Sequence, residues 1–116
     1  MTKVLEKPGP KQILKHCEAL GLDLTLLASC LAVNPKTIQR WQEGSAQPND
    51  GGLRALEKLE TICQLAARLL KKDALKPWFQ VSNETLGGER PADFLRRGEL
   101  DQVRNVLGML EWGIYS

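Results

Sequence analysis

Residues 26–44 read LLASCLAVNPKTIQRWQEG, and the fold turns on whether they form two helices joined by a tight turn. Pro35 suits a first helical position, because the N–H it lacks is one that the first turn leaves unpaired anyway. Asn34 before it is a good N-cap, and Gly44 supplies the stop. Within the second segment Val33, Ile38 and Trp41 fall on one side of a helix. Lys36, Thr37, Gln39, Arg40 and Gln42 then point away. That polar side is either a solvated surface or a row of groups awaiting a partner.

Outward from this stretch, the chain is written in helical periods. Ile13, Leu14, Cys17 and Leu20 recur at spacings of three and four from Pro10 to a stop at Gly21. Leu27, Ala28 and Leu31 predict a helix from about Leu24 to Ala32. The tract SAQPNDGG at 45–52 has loop composition. Leu53, Leu56, Leu59, Cys63, Ala66 and Leu70, widened by Ile62 and Leu69, make the stripe of a long amphipathic helix over 53–71. Glu57, Lys58, Glu60 and Arg68 are assigned to its outer side. Beyond Asp73, Trp78 and Phe79 precede Gly87-Gly88, Pro91 opens a short helix that Gly98 stops, and a last helix runs from about Glu99 to Glu111. No segment alternates as a strand does. The expected fold is all-α, with about seven helices, the first four forming an N-terminal helix-turn-helix bundle. The expected division is a loose arm at 1–9, the helix-turn-helix domain with its long fourth helix at 10–72, and a small helical module at 73–116.

The bulk numbers narrow the function. A chain of 116 residues, 42% of them hydrophobic, suffices for one compact core. The net charge is +2, with six Lys/Arg against five Asp/Glu in residues 1–50 and ten against nine in the rest. Strong nonspecific attraction to a polyanion is therefore not expected, and nucleic-acid binding has to come from local placement. No apolar run approaches a membrane span and no secretory signal is evident, which predicts a cytoplasmic protein without a membrane partner. Cys17, Cys30 and Cys63 are odd in number, widely spaced and set among leucines, and read as buried thiols rather than a disulfide or zinc framework. His16 and Cys17 are adjacent on a helix and cannot act as base and nucleophile; His16 reads as an exposed helix residue. Glu57 and Glu60 lack accompanying metal ligands. An enzyme is not expected, and no cofactor or metal is implied.

A helix-turn-helix needs a small residue where its helices cross, an apolar residue after the turn and another midway along the second helix. Ala28, Val33 and Ile38 meet these demands at offsets of five and five. With Trp41 and Gly44, the segment resembles the Xre/Cro class of repressor DNA-binding domains, although Ala32 stands where many members place glycine. A left-handed alanine there would cost about 1 kcal/mol. The resemblance implies operator DNA as a partner, bound by a homodimer. Gln39 and Arg40 are the candidate base readers, and Asn34, Lys36 and Thr37 the positioning residues.

The C-terminal segment carries a second resemblance. Trp78 and Phe79, then LGGERPADFLRRGELDQVRNVLGMLEWG, resemble the toxin-binding domain of Xre/MbcA/ParS-type antitoxins, with Leu86, Gly87, Gly88, Pro91, Leu95, Gly98, Val103 and Gly113 in the corresponding places. Such antitoxins pair with a RES-domain toxin, an NAD-consuming enzyme, and use the C-terminal region to close its active-site cleft. The resemblance implies that Trp112, Gly113, Ile114, Tyr115 and Ser116 are the blocking element, helped by Arg96 and Arg97, within a larger toxin–antitoxin complex. On physical grounds, Trp112, Ile114 and Tyr115 are too few to form a core. They either fold back or are covered by another protein. The competing expectation is an ordinary dimeric repressor whose C-terminal module only dimerises or binds a ligand.

Overall fold

The computed structural model describes residues 8–113. Within them lie seven α-helices and one 3-10 turn: α1 (Pro10–Ala19), α2 (Leu24–Leu31), α3 (Pro35–Glu43), α4 (Asp50–Leu69), α5 (Lys72–Gln80), the turn Glu84–Leu86, α6 (Pro91–Arg96) and α7 (Leu100–Glu111). The all-α expectation holds. The described residues form no β-strand, only an isolated bridge between Asn83 and Glu89. Residues 1–7 of the expected arm lie outside the described residues.

The punctuation acts as its chemistry requires. Asp23 caps α2 by accepting from the Leu26 N–H at 2.9 Å, and Asn34 caps α3 by accepting from the Lys36 N–H at 2.9 Å. Gly44 closes α3 with φ 82°, a conformation that costs a residue without Cβ nothing. Two boundaries differ from expectation. The loop assigned to 45–52 ends early, because Asn49 caps α4 by accepting from the Gly52 N–H at 2.8 Å, so Asp50, Gly51 and Gly52 are helical. A Cβ on Gly52 would lie 3.1 Å from the Pro48 side chain and 3.5 Å from that of Trp41. Glycine is there for close packing, not for a loop. The segment around Trp78 is also helical: α5 forms in spite of Pro77 within it.

Helix α4 is the spine, packed on α1 along one side and α7 along another. Ile13, Leu14, Leu27, Ile38, Leu56 and Leu59 from the first four helices are fully buried, as are Phe79, Leu95, Val103 and Leu107 from the remainder, and all belong to one cluster. Each such side chain contributes about 1.5–3 kcal/mol on burial. The two halves therefore share one core. Helix α2 also touches α6 directly: the Ser29 hydroxyl donates to the Arg96 carbonyl at 2.8 Å, and Gly98, at φ +78°, brings its Cα so close that a Cβ would sit 3.3 Å from the Cys30 carbonyl oxygen.

One charge is not where the sequence reading put it. Glu60 is 6% exposed rather than on the outer side of α4. His16 donates from Nδ1 to its carboxylate at 2.8 Å, and Gln64 donates from Nε2 at 3.0 Å. This satisfies the buried oxygens, as a low-dielectric setting demands. His16 is half exposed, as expected, but serves as the lid on Glu60.

Candidate functional site

Two surfaces carry the candidate residues. The first is built on α2 and α3. Ala28 is 4% exposed at the crossing, Ile38 is fully buried and Trp41 nearly so, while Val33 is half-buried beside them. Between the helices, Ala32 has φ 56° and ψ 44° and is the one non-glycine with positive φ among the described residues. The turn takes the left-handed geometry with alanine in the glycine position. With Ile38 and Trp41 anchoring one side of α3, Lys36, Gln39 and Arg40 are exposed and Thr37 is half-buried. Asn34 is exposed too, but its side-chain oxygen is committed to the cap, which leaves the amide nitrogen to meet a partner. Gln42 does not join the open row. It borders a groove with Lys11, Gln12, Lys15 and Glu18 of α1, so two lysines flank α3 that the sequence reading did not single out. Their signal was available: they are one turn apart on the polar side of α1.

The second surface is the C-terminal half. Trp78 meets Phe79 edge-on, with ring centroids 5.0 Å apart and planes at 90°; Phe79 is fully buried. The segment 83–89 closes on itself, since the Asn83 N–H donates to the Glu89 carbonyl at 2.9 Å and the Gly88 N–H to the Asn83 carbonyl at 3.0 Å. Gly87 and Gly88 have φ 70° and 86°, which explains the pair. Arg90 then grips Asp93 twice, from Nη2 to Oδ1 at 2.7 Å and from Nε to Oδ2 at 3.1 Å. These bonds, with one from the Arg90 backbone N–H, hold the Asp93 carboxyl down at about 2.

Arg96 and Arg97, exposed as expected, are not unengaged charges. Arg96 donates to Asp93 at 3.2 Å. Arg97 donates to Glu89 at 2.8 Å and to Glu99 at 3.2 Å, and its guanidinium lies 4.6 Å from the Phe94 ring centroid. These partners raise the Arg97 pKa, the Glu89 hydrogen bond first. Arg97 thereby ties the 83–89 segment to the α6–α7 corner, while Arg96 stays within α6.

At the far end of α7, Trp112 is 80% exposed and Gly113 is exposed at φ 69°. Ile114, Tyr115 and Ser116 lie outside the described residues. The last turn of α7 is held to α4 by an ion pair between Arg68 and Glu111. The base of the exposed tryptophan is therefore fixed while its ring has little protein around it.

Elsewhere the chemistry is quiet. Cys17, Cys30 and Cys63 are buried free thiols, as expected, although the Cys17 and Cys63 sulfurs approach to 3.8 Å across α1 and α4. Burial pushes the Cys30 thiol up to about 12, and contact with Cys63 together with burial pushes Cys17 up as well. Among the described residues no group of three or more His, Cys, Asp or Glu side chains converges to hold a metal. No described helix is long and apolar enough to cross a membrane.

Comparison with known proteins places this geometry. Residues 64–113 match the antitoxin Xre/MbcA/ParS C-terminal toxin-binding domain. The match covers the C-terminal part of the chain, from within α4 through α7. It is similar to the mycobacterial cidal antitoxin MbcA of Mycobacterium tuberculosis and of Mycobacterium bovis, 26% identical to each over 98 residues, or 84% of this chain and 87% of the relative. A chain in the crystal structure of the M. tuberculosis MbcT–MbcA toxin–antitoxin complex has the same fold, with a TM-score of 0.72 at 23% identity over 92% of this chain and 96% of that one. Both modules fall within that shared fold. The named relatives are antitoxins, and this chain shares a domain and a fold with them.

Proposed function

We propose that this antitoxin neutralises a RES-domain, NAD-consuming toxin by laying its C-terminal segment over the toxin's active site, and that its helix-turn-helix represses the operon encoding both. The observation that carries the first part is the matched domain at 64–113, together with Trp112, 80% exposed where that domain ends. A large aromatic group left in water at a chain end gains most from a pocket on another protein, where aromatic anchors dominate binding energy. Trp112, Gly113, Ile114, Tyr115 and Ser116 form the blocking element. Arg96 and Arg97 hold the corner from which α7 projects and present their remaining N–H donors to the toxin's rim.

The second part rests on α3. Gln39 and Arg40 are exposed side chains able to make paired contacts with adenine and guanine edges, while Asn34, Lys36 and Thr37 set the helix against the backbone. Lys11 and Lys15 on α1 extend the cationic margin. Since one half-site of this size binds weakly, the operator-bound form is a homodimer within a larger toxin–antitoxin complex. Acting in the cytoplasm, where its operator lies, the antitoxin needs neither cofactor nor catalytic activity of its own.

The test is separation of the two activities. Changing Gln39→Ala and Arg40→Ala together should abolish the shift of operator DNA in a gel while the chain still rescues cells expressing the neighbouring toxin gene. Loss of both activities in a folded double variant, or of neither, overturns the assignment of α3.

A further inference from the structure

Helix α5 starts where lysine is least at home. Lys71 is its N-cap and Lys72 its first helical residue, and no side chain bonds to the free N–H groups of that end. Positive charge at a helix start opposes the helix dipole. Lys76 follows one turn after Lys72. All three lysines are exposed, and among the described residues none of them has an ion-pair or side-chain hydrogen-bond partner. Asp73 is the single carboxylate in residues 71–80. Elsewhere the chain pairs its cations internally: Lys58 meets Asp101, Arg68 meets Glu111, and Arg97 meets Glu89. Nothing inside the described chain requires three unpaired lysines on α5.

Their place in the fold supplies a reason. The stem of Lys76 lies over the turn between α1 and α2, where a Cβ built on Gly21 would be 3.8 Å from the Lys76 Cγ. Two residues beyond Gly21, Asp23 caps the start of α2, its Oδ1 occupied by the Leu26 N–H. In a bound helix-turn-helix the second helix enters the major groove while the first crosses the sugar–phosphate backbone. Helix α2 is that first helix. Lys76 is therefore held beside the starting end of an element that faces phosphates, with Lys72 and Lys71 within a turn and a half of it along α5.

We infer that α5 is a second DNA contact, in which Lys71, Lys72 and Lys76 hold phosphates flanking the major groove that α3 reads. The inference rests on the proposed operator binding and carries it into the half of the chain that matches a toxin-binding domain. Duplex DNA is the occupant because its charge complements three unpaired lysines placed next to the helix-turn-helix, and a lysine meets a phosphate as a point charge without needing a fixed geometry. Such contacts set affinity and position, not sequence preference. They also let a chain with a net charge of only +2 grip a polyanion through local placement.

The experiment titrates the full chain against the duplex from upstream of its own gene and against an unrelated duplex of equal length, over a range of salt concentrations. The variants are Lys71→Gln, Lys72→Gln and Lys76→Gln combined, Lys71→Arg, Lys72→Arg and Lys76→Arg combined, and, as a control on the exposed side of α7, Arg104→Gln. The plot of log affinity against log salt should be shallower by about 2–3 for the glutamine variant, at about 0.9 per phosphate contact, with binding to both duplexes roughly 100-fold weaker at about 0.2 M salt. The ratio between the two duplexes should stay as in the parent, and the arginine variant and Arg104→Gln should keep the parent's slope. A glutamine variant with the parent's slope overturns the inference while leaving the proposed function standing. So does one whose only loss is in binding the toxin partner, an arginine variant as defective as the glutamine one, or an Arg104→Gln slope that falls equally per charge. If the parent binds neither duplex, the proposed operator binding falls, and this inference with it.

Discussion

Replacing Ala32 by glycine should make this protein more stable. Ala32 ends α2 at φ 56° and ψ 44°, and its N–H donates to the Ser29 carbonyl at 3.2 Å while the Val33 N–H reaches the Ala28 carbonyl at 2.9 Å. Holding a residue with a Cβ in that region costs about 1–2 kcal/mol. Glycine removes this cost but brings an unfolded chain with more freedom, which offsets about 0.4–1 kcal/mol. Ala32 is exposed, so no packing is lost with the methyl group. The net gain is about 0.5–1 kcal/mol, read as a higher urea midpoint at unchanged slope. The mirror change, Gly44→Ala at φ 82°, should lower the midpoint by a similar amount. An Ala32→Gly variant that unfolds at lower urea than the parent would mean that the turn between α2 and α3 is not left-handed, and the helix-turn-helix reading of 26–44 would lose its geometric support.

Gly98→Ala should destabilise the chain by about 1–2 kcal/mol in the same assay, because φ is +78° and a Cβ would lie 3.3 Å from the Cys30 carbonyl oxygen across the seam between the two halves. Asp93 supplies a pH dependence. Its carboxyl is held at about 2 in the folded chain, chiefly by Arg90, below its ordinary value of 3.8. A depressed carboxylate adds stability above its unfolded value and loses it as pH falls from about 4 toward 2. Melting curves across that range should therefore be flatter for Asp93→Asn than for the parent, and equally steep curves would exclude the Arg90 contact as a source of acid sensitivity. At pH 8, a thiol reagent should label the native chain only slowly and label three cysteines once it is unfolded, since all three are buried and burial pushes Cys30 up to about 12.

Much of this was legible in the sequence, for identifiable reasons. Where a side chain must cap or a backbone must turn left, the residue types are few. Asn34-Pro35, Gly44, Pro91 and Gly98 accordingly marked their boundaries to within a residue or two. What was lost depends on tertiary contact. Gly51-Gly52 looks like a loop until Pro48 and Trp41 are seen pressing on Gly52. Helix α5 hid behind Pro77, which removes a helical N–H and whose cost is met by packing of Phe79. Glu60 could have been placed, because it lies four residues after Leu56 and three before Cys63, on the buried stripe itself. Its charge argued for the surface, and only His16 and Gln64, 44 residues before it and four after, make burial tolerable. The polar row on α3 was readable as a row. Of the toxin-facing candidates, Arg96 and Arg97 turned out to be tied to Asp93, Glu89 and Glu99, of which Glu89 is brought up by the way the 83–89 segment folds.

The most direct test of the proposed mechanism is NAD consumption by the proposed RES-domain partner, measured with the full chain and with a chain lacking residues 112–116. The full chain should silence the enzyme at stoichiometric amounts, and the shortened chain should leave it consuming NAD. Continued NAD consumption in the presence of a stably bound full chain, or complete silencing by the shortened one, would contradict the assignment of the C-terminal segment as the plug.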